Sequence, residues 1–258
     1  MPTVARFNIT PVKSTSLQHP DTIELGPNGV AADRRFLFIG AEGKRISGGS
    51  KAALLGIRSS FDPDGDRLTL ELPDGTRAEG GAMPAGDGMR VALFDREVDV
   101  RPVPGPFDAA VSRFLDRDVM LVRVERPERG GGVRPVSIVS TASVEELGRR
   151  AGRKTPDPRR FRMLVELDGC TPHGEDEWTG LRLRMGDAII RVRDGVPRCV
   201  LTTLHPDTGE PDFPTLDVLA TYRRREGELL FGVYADVEEP GLVRVGDAVE
   251  ILGEILGD

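Results

Sequence analysis

Val196-Pro197-Arg198-Cys199-Val200-Leu201-Thr202-Thr203-Leu204-His205-Pro206-Asp207-Thr208-Gly209 brings a thiol, a guanidinium and a rigid turn into one short stretch. Pro197 restrains the backbone just upstream, and Arg198 can hold a thiolate or a phosphate beside it. Thr202-Thr203 predicts a short β segment, closed by the Pro206-Asp207-Thr208-Gly209 turn. Most free cysteines are small buried apolar residues. The stretch therefore gains meaning only from its company in the rest of the chain.

That company is globular. The 258 residues carry 38% hydrophobic and 30% charged side chains, enough for a sizeable core and too well mixed for disorder. The 31 glycines and 20 prolines leave mostly short elements and favour β structure. A net charge of −7 provides no global attraction to nucleic acid or an anionic membrane, so neither is expected as a partner, and any anion site must be local. Cys170 and Cys199 are too few for a disulfide framework, although one bridge is arithmetically possible. No run reaches the roughly 20 apolar residues of a membrane span, and the start lacks a signal-peptide core. The expectation is a soluble, cytoplasmic, reduced protein.

Residues 4–9 alternate as a strand and lead to Lys13-Ser14 at its margin, while Asp33-Arg34-Arg35 precede the apolar strand 36–39. Two Pro-Asp-Gly turns, at 63–65 and 73–75, bracket the period-two strand 67–72, and a further strand pair is expected over 89–103. Pro102-Val103-Pro104-Gly105-Pro106 predicts a boundary between domains 1–104 and 105–258. Phe107, Ala110, Val111, Phe114 and Leu115 then mark one helix face, and residues 119–124 a strand. A Gly-rich loop is expected over 126–134. Ser143 and Glu146 have capping-box spacing before a helix ending near Arg150, and the turn from Ser140 to Ser143 offers backbone donors to an anion. Leu216, Leu219, Ala220 and Tyr222 mark a third helix. Met185-Gly186-Asp187-Ala188 and Val245-Gly246-Asp247-Ala248 repeat a Gly-Asp corner suited to a small, partly closed barrel.

Taken in order, several of these words resemble one family. They are Pro11-Val12-Lys13-Ser14, Asp33-Arg34, Phe161-Arg162, Asp168-Gly169-Cys170, Glu175-Asp176-Glu177-Trp178, Arg198-Cys199-Val200-Leu201-Thr202-Thr203, Pro206-Asp207-Thr208-Gly209, Tyr222-Arg223 and Val245-Gly246-Asp247. The chain resembles the MOSC proteins, in particular the group with a β-barrel N-terminal domain that includes the amidoxime-reducing components. The resemblance covers nearly the whole chain. It implies an α+β, β-rich fold in which a β-barrel-like N-terminal domain packs on a MOSC β-barrel with a few short helices.

It also implies a molybdenum cofactor, with Cys199 as metal ligand and catalytic residue. A thiolate is a soft donor, and a neighbouring guanidinium favours its ionised form. The cofactor's phosphate and pterin call for cations and fixed donors, roles that the resemblance gives to Lys13, Ser14, Arg34, Arg162 and Arg198, with Ser140 as a further cofactor contact. Cys170 receives no metal role. His19, His173 and His205 lack zinc-ligand spacing. The chain departs from many relatives at Met163-Leu164, Ser47-Gly48-Gly49 and Pro197, which puts its pterin contacts in question. The activity implied is reduction of an N-hydroxylated or N-oxide-type small molecule, with electrons from a separate ferredoxin-like or haem/flavin donor, because two cysteines cannot ligate a four-cysteine cluster. Sulfur transfer through a Cys199 persulfide and a non-catalytic cofactor carrier stay open as alternatives. A pyridoxal-phosphate-binding label is also compatible with the resemblance.

Overall fold

The computed structural model describes residues 1–40, 43, 44, 46, 49–93, 96–125 and 134–253. Ser47 and Gly48 of the departure at 47–49, and residues 126–133 of the expected Gly-rich loop, lie outside the described residues.

Strands β1 (Thr3–Phe7), β2 (Thr22–Leu25) and β3 (Phe36–Gly40) are followed by helix α1 (Gly49–Leu54). Next come β4 (Arg58–Asp62), β5 (Arg67–Glu71) and β6 (Arg77–Gly81), an antiparallel meander turned by the two Pro-Asp-Gly corners. Alternation along β5 turns Leu68 and Leu70 inward, both 0% exposed. Strands β7 (Met89–Leu93) and β8 (Arg96–Pro102), helix α2 (Phe107–Leu115) and strand β9 (Val119–Val124) complete this half. A second sheet runs β3-β9-β8-β7. Phe107 and Val111 of α2 are fully buried in a core shared with Phe36, Leu68, Leu70 and Leu121.

The other half contains β10 (Val136–Ser140), α3 (Thr141–Arg150), β11 (Val165–Asp168), β12 (Arg182–Met185), β13 (Ala188–Pro197), α4 (Thr215–Ala220), β14 (Arg224–Arg225), β15 (Glu228–Glu239), β16 (Gly241–Arg244) and β17 (Val249–Gly253). Its sheet runs β1-β11-β10-β15-β13-β12-β17, with β14 on β15. The β10–β11 pair is parallel, and α3 supplies part of the crossover that a parallel pair requires. The Gly186-Asp187 and Gly246-Asp247 corners stack. A Cβ on Gly186, whose φ is 53°, would lie 2.6 Å from the Leu242 carbonyl oxygen and 2.5 Å from the Asp247 carboxylate, which leaves room only for glycine.

The architecture is the β-rich one expected, with four short α-helices among the described residues. The sheets exchange segments across the division expected at residue 104. β1 pairs with β11 and β2 with β16, while α2 and β9 pack and pair with the first half, so strand pairing changes sides after Val124. Among the described residues, no helix is long and apolar enough to cross a membrane.

Two local expectations are corrected. The cap of α3 is Ser140, whose hydroxyl accepts from the Ser143 N–H at 3.1 Å, while Glu146 pairs outward with Arg149 and Arg150. Thr202 and Thr203 form a 3-10 turn over Val200–Thr203 and no strand. Their hydroxyls donate to the Cys199 and Val200 carbonyls at 2.9 and 2.7 Å, a local bonding mode that outcompetes β propensity.

Candidate functional site

Lys13 and Ser14 follow a parallel bridge between Val12 and Phe36, and the Lys13 N–H donates to the Phe36 carbonyl at 2.7 Å. Thr10 fixes the neighbouring turn. It donates its N–H to the Asp33 carboxylate at 2.8 Å and accepts the Arg34 N–H at 2.6 Å. Arg34 and Lys13-Ser14 are thereby held on one side of the barrel-like half. From the other half, Arg162 ends the 3-10 turn Pro158–Phe161, and Arg198-Cys199 follow β13.

These pieces meet in a cleft of about 160 Å³ lined by Lys13, Ser14, Arg34, Arg162, Arg198 and Cys199, with Arg134, Ser137, Tyr234 and the apolar Phe161, Met163, Val196, Pro197 and Leu201. Among the described residues, five cations line it and no carboxylate does. Three of the seven non-glycine residues with left-handed φ among the described residues are here: Ser14 at 72°, Arg34 at 51° and Arg162 at 53°. Such backbone strain collects at binding sites.

The guanidiniums cross-link the two halves by gripping carbonyls. Arg34 donates to the Arg162 carbonyl at 2.7 Å and pairs with Asp33, while Arg162 donates to the Thr15 carbonyl at 2.6 Å. Among the described residues, neither Arg162 nor Arg198 has a carboxylate within ion-pair distance. Burial, then Arg34, pulls the Arg162 pKa down to about 9 against the opposing pull of Asp33. Burial pulls Arg198 down to about 10, with Tyr234 and Cys199 opposing. Both remain charged at neutral pH. They are desolvated cations without an internal counter-ion, which an incoming anion would relieve.

Cys199 is exposed and opens the 3-10 turn Val200–Thr203, its carbonyl accepting the Thr202 N–H at 3.0 Å. Cys170 is half-buried, and burial, then Glu175 and Asp168, push its thiol up to about 12. It is an inert thiol at neutral pH. No three His, Cys, Asp or Glu side chains converge on a metal position among the described residues. A metal at Cys199 would therefore take its other ligands from outside the protein.

Ser140 is not in the cleft. It is fully buried, and the anion expected at its turn is internal: Glu175 accepts the Ser140 N–H at 3.2 Å, the Ser140 hydroxyl at 2.9 Å and the Ser143 hydroxyl at 2.8 Å. A carboxylate thus takes the donors that a phosphate would have used.

Sequence reading missed the supports. Arg159 bridges Asp157 and Asp207 at 2.6 and 2.8 Å, tying down the Pro206-Asp207-Thr208-Gly209 turn. Arg160, 3% exposed, forms a two-pronged pair with Asp212 at 2.9 Å and donates to the Thr202 carbonyl at 3.2 Å, which anchors the turn after Cys199. The signal available was the density of arginines in Arg159-Arg160-Phe161-Arg162 within an acidic chain.

Residues 125–250 match the MOSC domain. Mitochondrial amidoxime-reducing component 1 of Homo sapiens is 29% identical over 297 residues, covering 98% of this chain and 83% of that protein. Mitochondrial amidoxime reducing component 2 of Macaca fascicularis is 27% identical, covering 96% and 82%. Molybdenum cofactor sulfurase of Oryza sativa subsp. japonica is 26% identical over 90% of this chain, which spans 32% of that protein. Among solved structures, the YuaD protein of Bacillus subtilis covers 97% of this chain and 96% of its own at 17% identity and a TM-score of 0.49. The chain thus carries the MOSC match over residues 125–250, and it is similar along nearly its whole length to the amidoxime-reducing components.

Proposed function

We propose that the chain is a molybdenum-cofactor-binding oxidoreductase that reduces N-hydroxylated or N-oxide-type small molecules with electrons from a separate donor protein. The observation that carries this reading is a cleft lined, among the described residues, by five cations, no carboxylate and an exposed free thiol, in a chain of net charge −7. That donor set fits an anionic, phosphate-bearing group whose metal accepts one soft protein ligand. Arg34 and Arg162 would hold the phosphate with N–H groups left over from their carbonyl contacts, Lys13 would add charge, and Cys199 would ligate the metal. Ser14 and Ser137 would offer hydroxyls to the pterin. Bound there, the cofactor would supply two-electron oxygen-atom abstraction. The protein's share is to orient the group, neutralise its charge and exclude water from the floor of the cleft. Metal analysis and pterin fluorescence on protein from a host that makes the cofactor test the reading, together with turnover of an N-hydroxylated compound under reduced viologen. Absence of both molybdenum and pterin would sink it.

A second reading, sulfur transfer through a Cys199 persulfide, draws on the exposure of Cys199 and the similarity to a molybdenum cofactor sulfurase. Labelled sulfane leaving Cys199 in protein free of molybdenum would favour it.

A further inference from the structure

A guanidinium has five N–H groups. Arg198 commits four of them to the protein interior: Nε to the Phe231 carbonyl at 2.9 Å, Nη2 to that carbonyl and to the Met163 thioether, and Nη1 to the Phe161 carbonyl at 3.1 Å. Its carbon also lies 5.4 Å from the centre of the Phe161 ring. Among the described residues, Arg162 commits only one N–H and Arg34 two. Arg198 therefore has almost nothing left to offer a ligand, while Arg162 keeps most of its donors. The residues that Arg198 grips, Phe161 and Met163, are those on either side of Arg162. Arg162 itself holds a left-handed φ of 53° that a non-glycine residue does not adopt without support.

We propose that Arg198 is a positioning residue for Arg162: it holds the Phe161 carbonyl on one side of Arg162 and the Met163 thioether on the other and so presents that guanidinium to the cleft, and it contributes little as an anion contact of its own. The proposal rests on the reading of the cleft as an anion site, and it separates two roles that charge alone would merge. Lysine at 198 keeps the charge but cannot span three acceptors.

The test is calorimetric titration of the apoprotein with inorganic phosphate, with thermal melts as a folding control. Arg162→Ala should weaken binding about tenfold, the loss of a charge-assisted contact. Arg198→Lys should weaken it by a similar factor, and the double variant should bind no more weakly than Arg162→Ala alone. Wild-type affinity in Arg198→Lys, or losses that multiply in the double variant, would overturn the proposal. If Arg198→Lys does not fold, Met163→Leu removes only the thioether acceptor. A loss of about threefold that vanishes in the Arg162→Ala background is expected there, and unchanged affinity counts against the clamp. Amide hydrogen exchange over residues 158–164 gives a readout without ligand. Exchange should quicken in Arg198→Lys or Met163→Leu, and unaltered exchange rejects the clamp. Wild-type protein that binds no phosphate would instead sink the anion-site reading, with exchange still deciding the clamp.

Discussion

Arg162 donates to the carbonyl of Thr15 at 2.6 Å although 147 residues separate them, and the bond crosses the cleft from one half of the molecule to the other. Among the described residues the same guanidinium has no carboxylate within ion-pair distance, so one side chain both joins the halves and brings uncompensated positive charge to the cleft.

For that reason Arg162→Ala and Arg34→Ala should weaken anion binding far more than folding. The lost carbonyl bond of Arg162, about 1 kcal/mol, is offset by removal of a desolvated cation beside another. Melting of the apoprotein should move by no more than about 4 °C. A large fall in melting temperature with unchanged phosphate affinity would show that these arginines serve the fold alone.

The two cysteines should respond differently to the same reagent. Iodoacetamide at pH 8 should alkylate Cys199 in the native protein and leave Cys170 unmodified, since the Cys170 thiol is half-buried and pushed up to about 12. Cys199→Ser should abolish turnover per cofactor while the fold survives, and Cys170→Ser should cost stability at most. Mass spectrometry of the alkylated peptides and a viologen assay check both halves of this prediction, and label on Cys170 would contradict it.

His173 gives a pH dependence. Burial, then Arg223, lowers its pKa from 6.5 to about 4, and both ring nitrogens are buried without a partner among the described residues. Above pH 6.5 the folded and unfolded chains both hold neutral imidazole. Between 6.5 and 4 only the unfolded chain takes the proton, so stability falls as pH falls through this window and levels off below it. His173→Asn, which tolerates the left-handed φ of 62° and does not titrate, should flatten the curve. Urea midpoints at pH 7, 5.5 and 4.5 measure it, and equal slopes in both proteins would remove His173 as the cause.

Glu175 should be structural. It is fully buried and accepts from Ser140 and Ser143, so Glu175→Ala removes the acceptor of the Ser140 N–H and of both hydroxyls and should cost about 3 kcal/mol or more. Phosphate affinity of the folded fraction should stay at the wild-type value. A weakened affinity would link this turn to the cleft after all.

The sequence reached the fold class because its signals are local: alternation in residues 67–72, Pro-Asp-Gly turns, the apolar face of residues 107–115 and the two Gly-Asp corners. It reached Lys13, Arg34, Arg162, Arg198 and Cys199 only through resemblance, because no spacing in the chain relates residues so far apart. Arg160 with Asp212, Arg159 with Asp207 and Glu175 with Ser140 were illegible for the same reason. Their pairing depends on how loops meet, and each residue alone looks like surface charge or a cap. Thr202-Thr203 misled because β propensity is weak beside hydroxyls that can bond three residues back.

The exchange of segments between the sheets bears on how the molecule is made. β1 must wait for β11, and β2 for β16, so two strands synthesised early stay without these partners until segments far downstream have left the ribosome. Such distant pairings fold slowly and leave apolar edges exposed meanwhile. Lys13, Ser14 and Thr15 sit on the linker between those two waiting strands. The cleft is therefore a late feature of folding: Lys13 and Ser14 are made early, but a nascent chain has no thiol-and-cation pocket in which to trap a cofactor until Arg198, Cys199 and Tyr234 have followed.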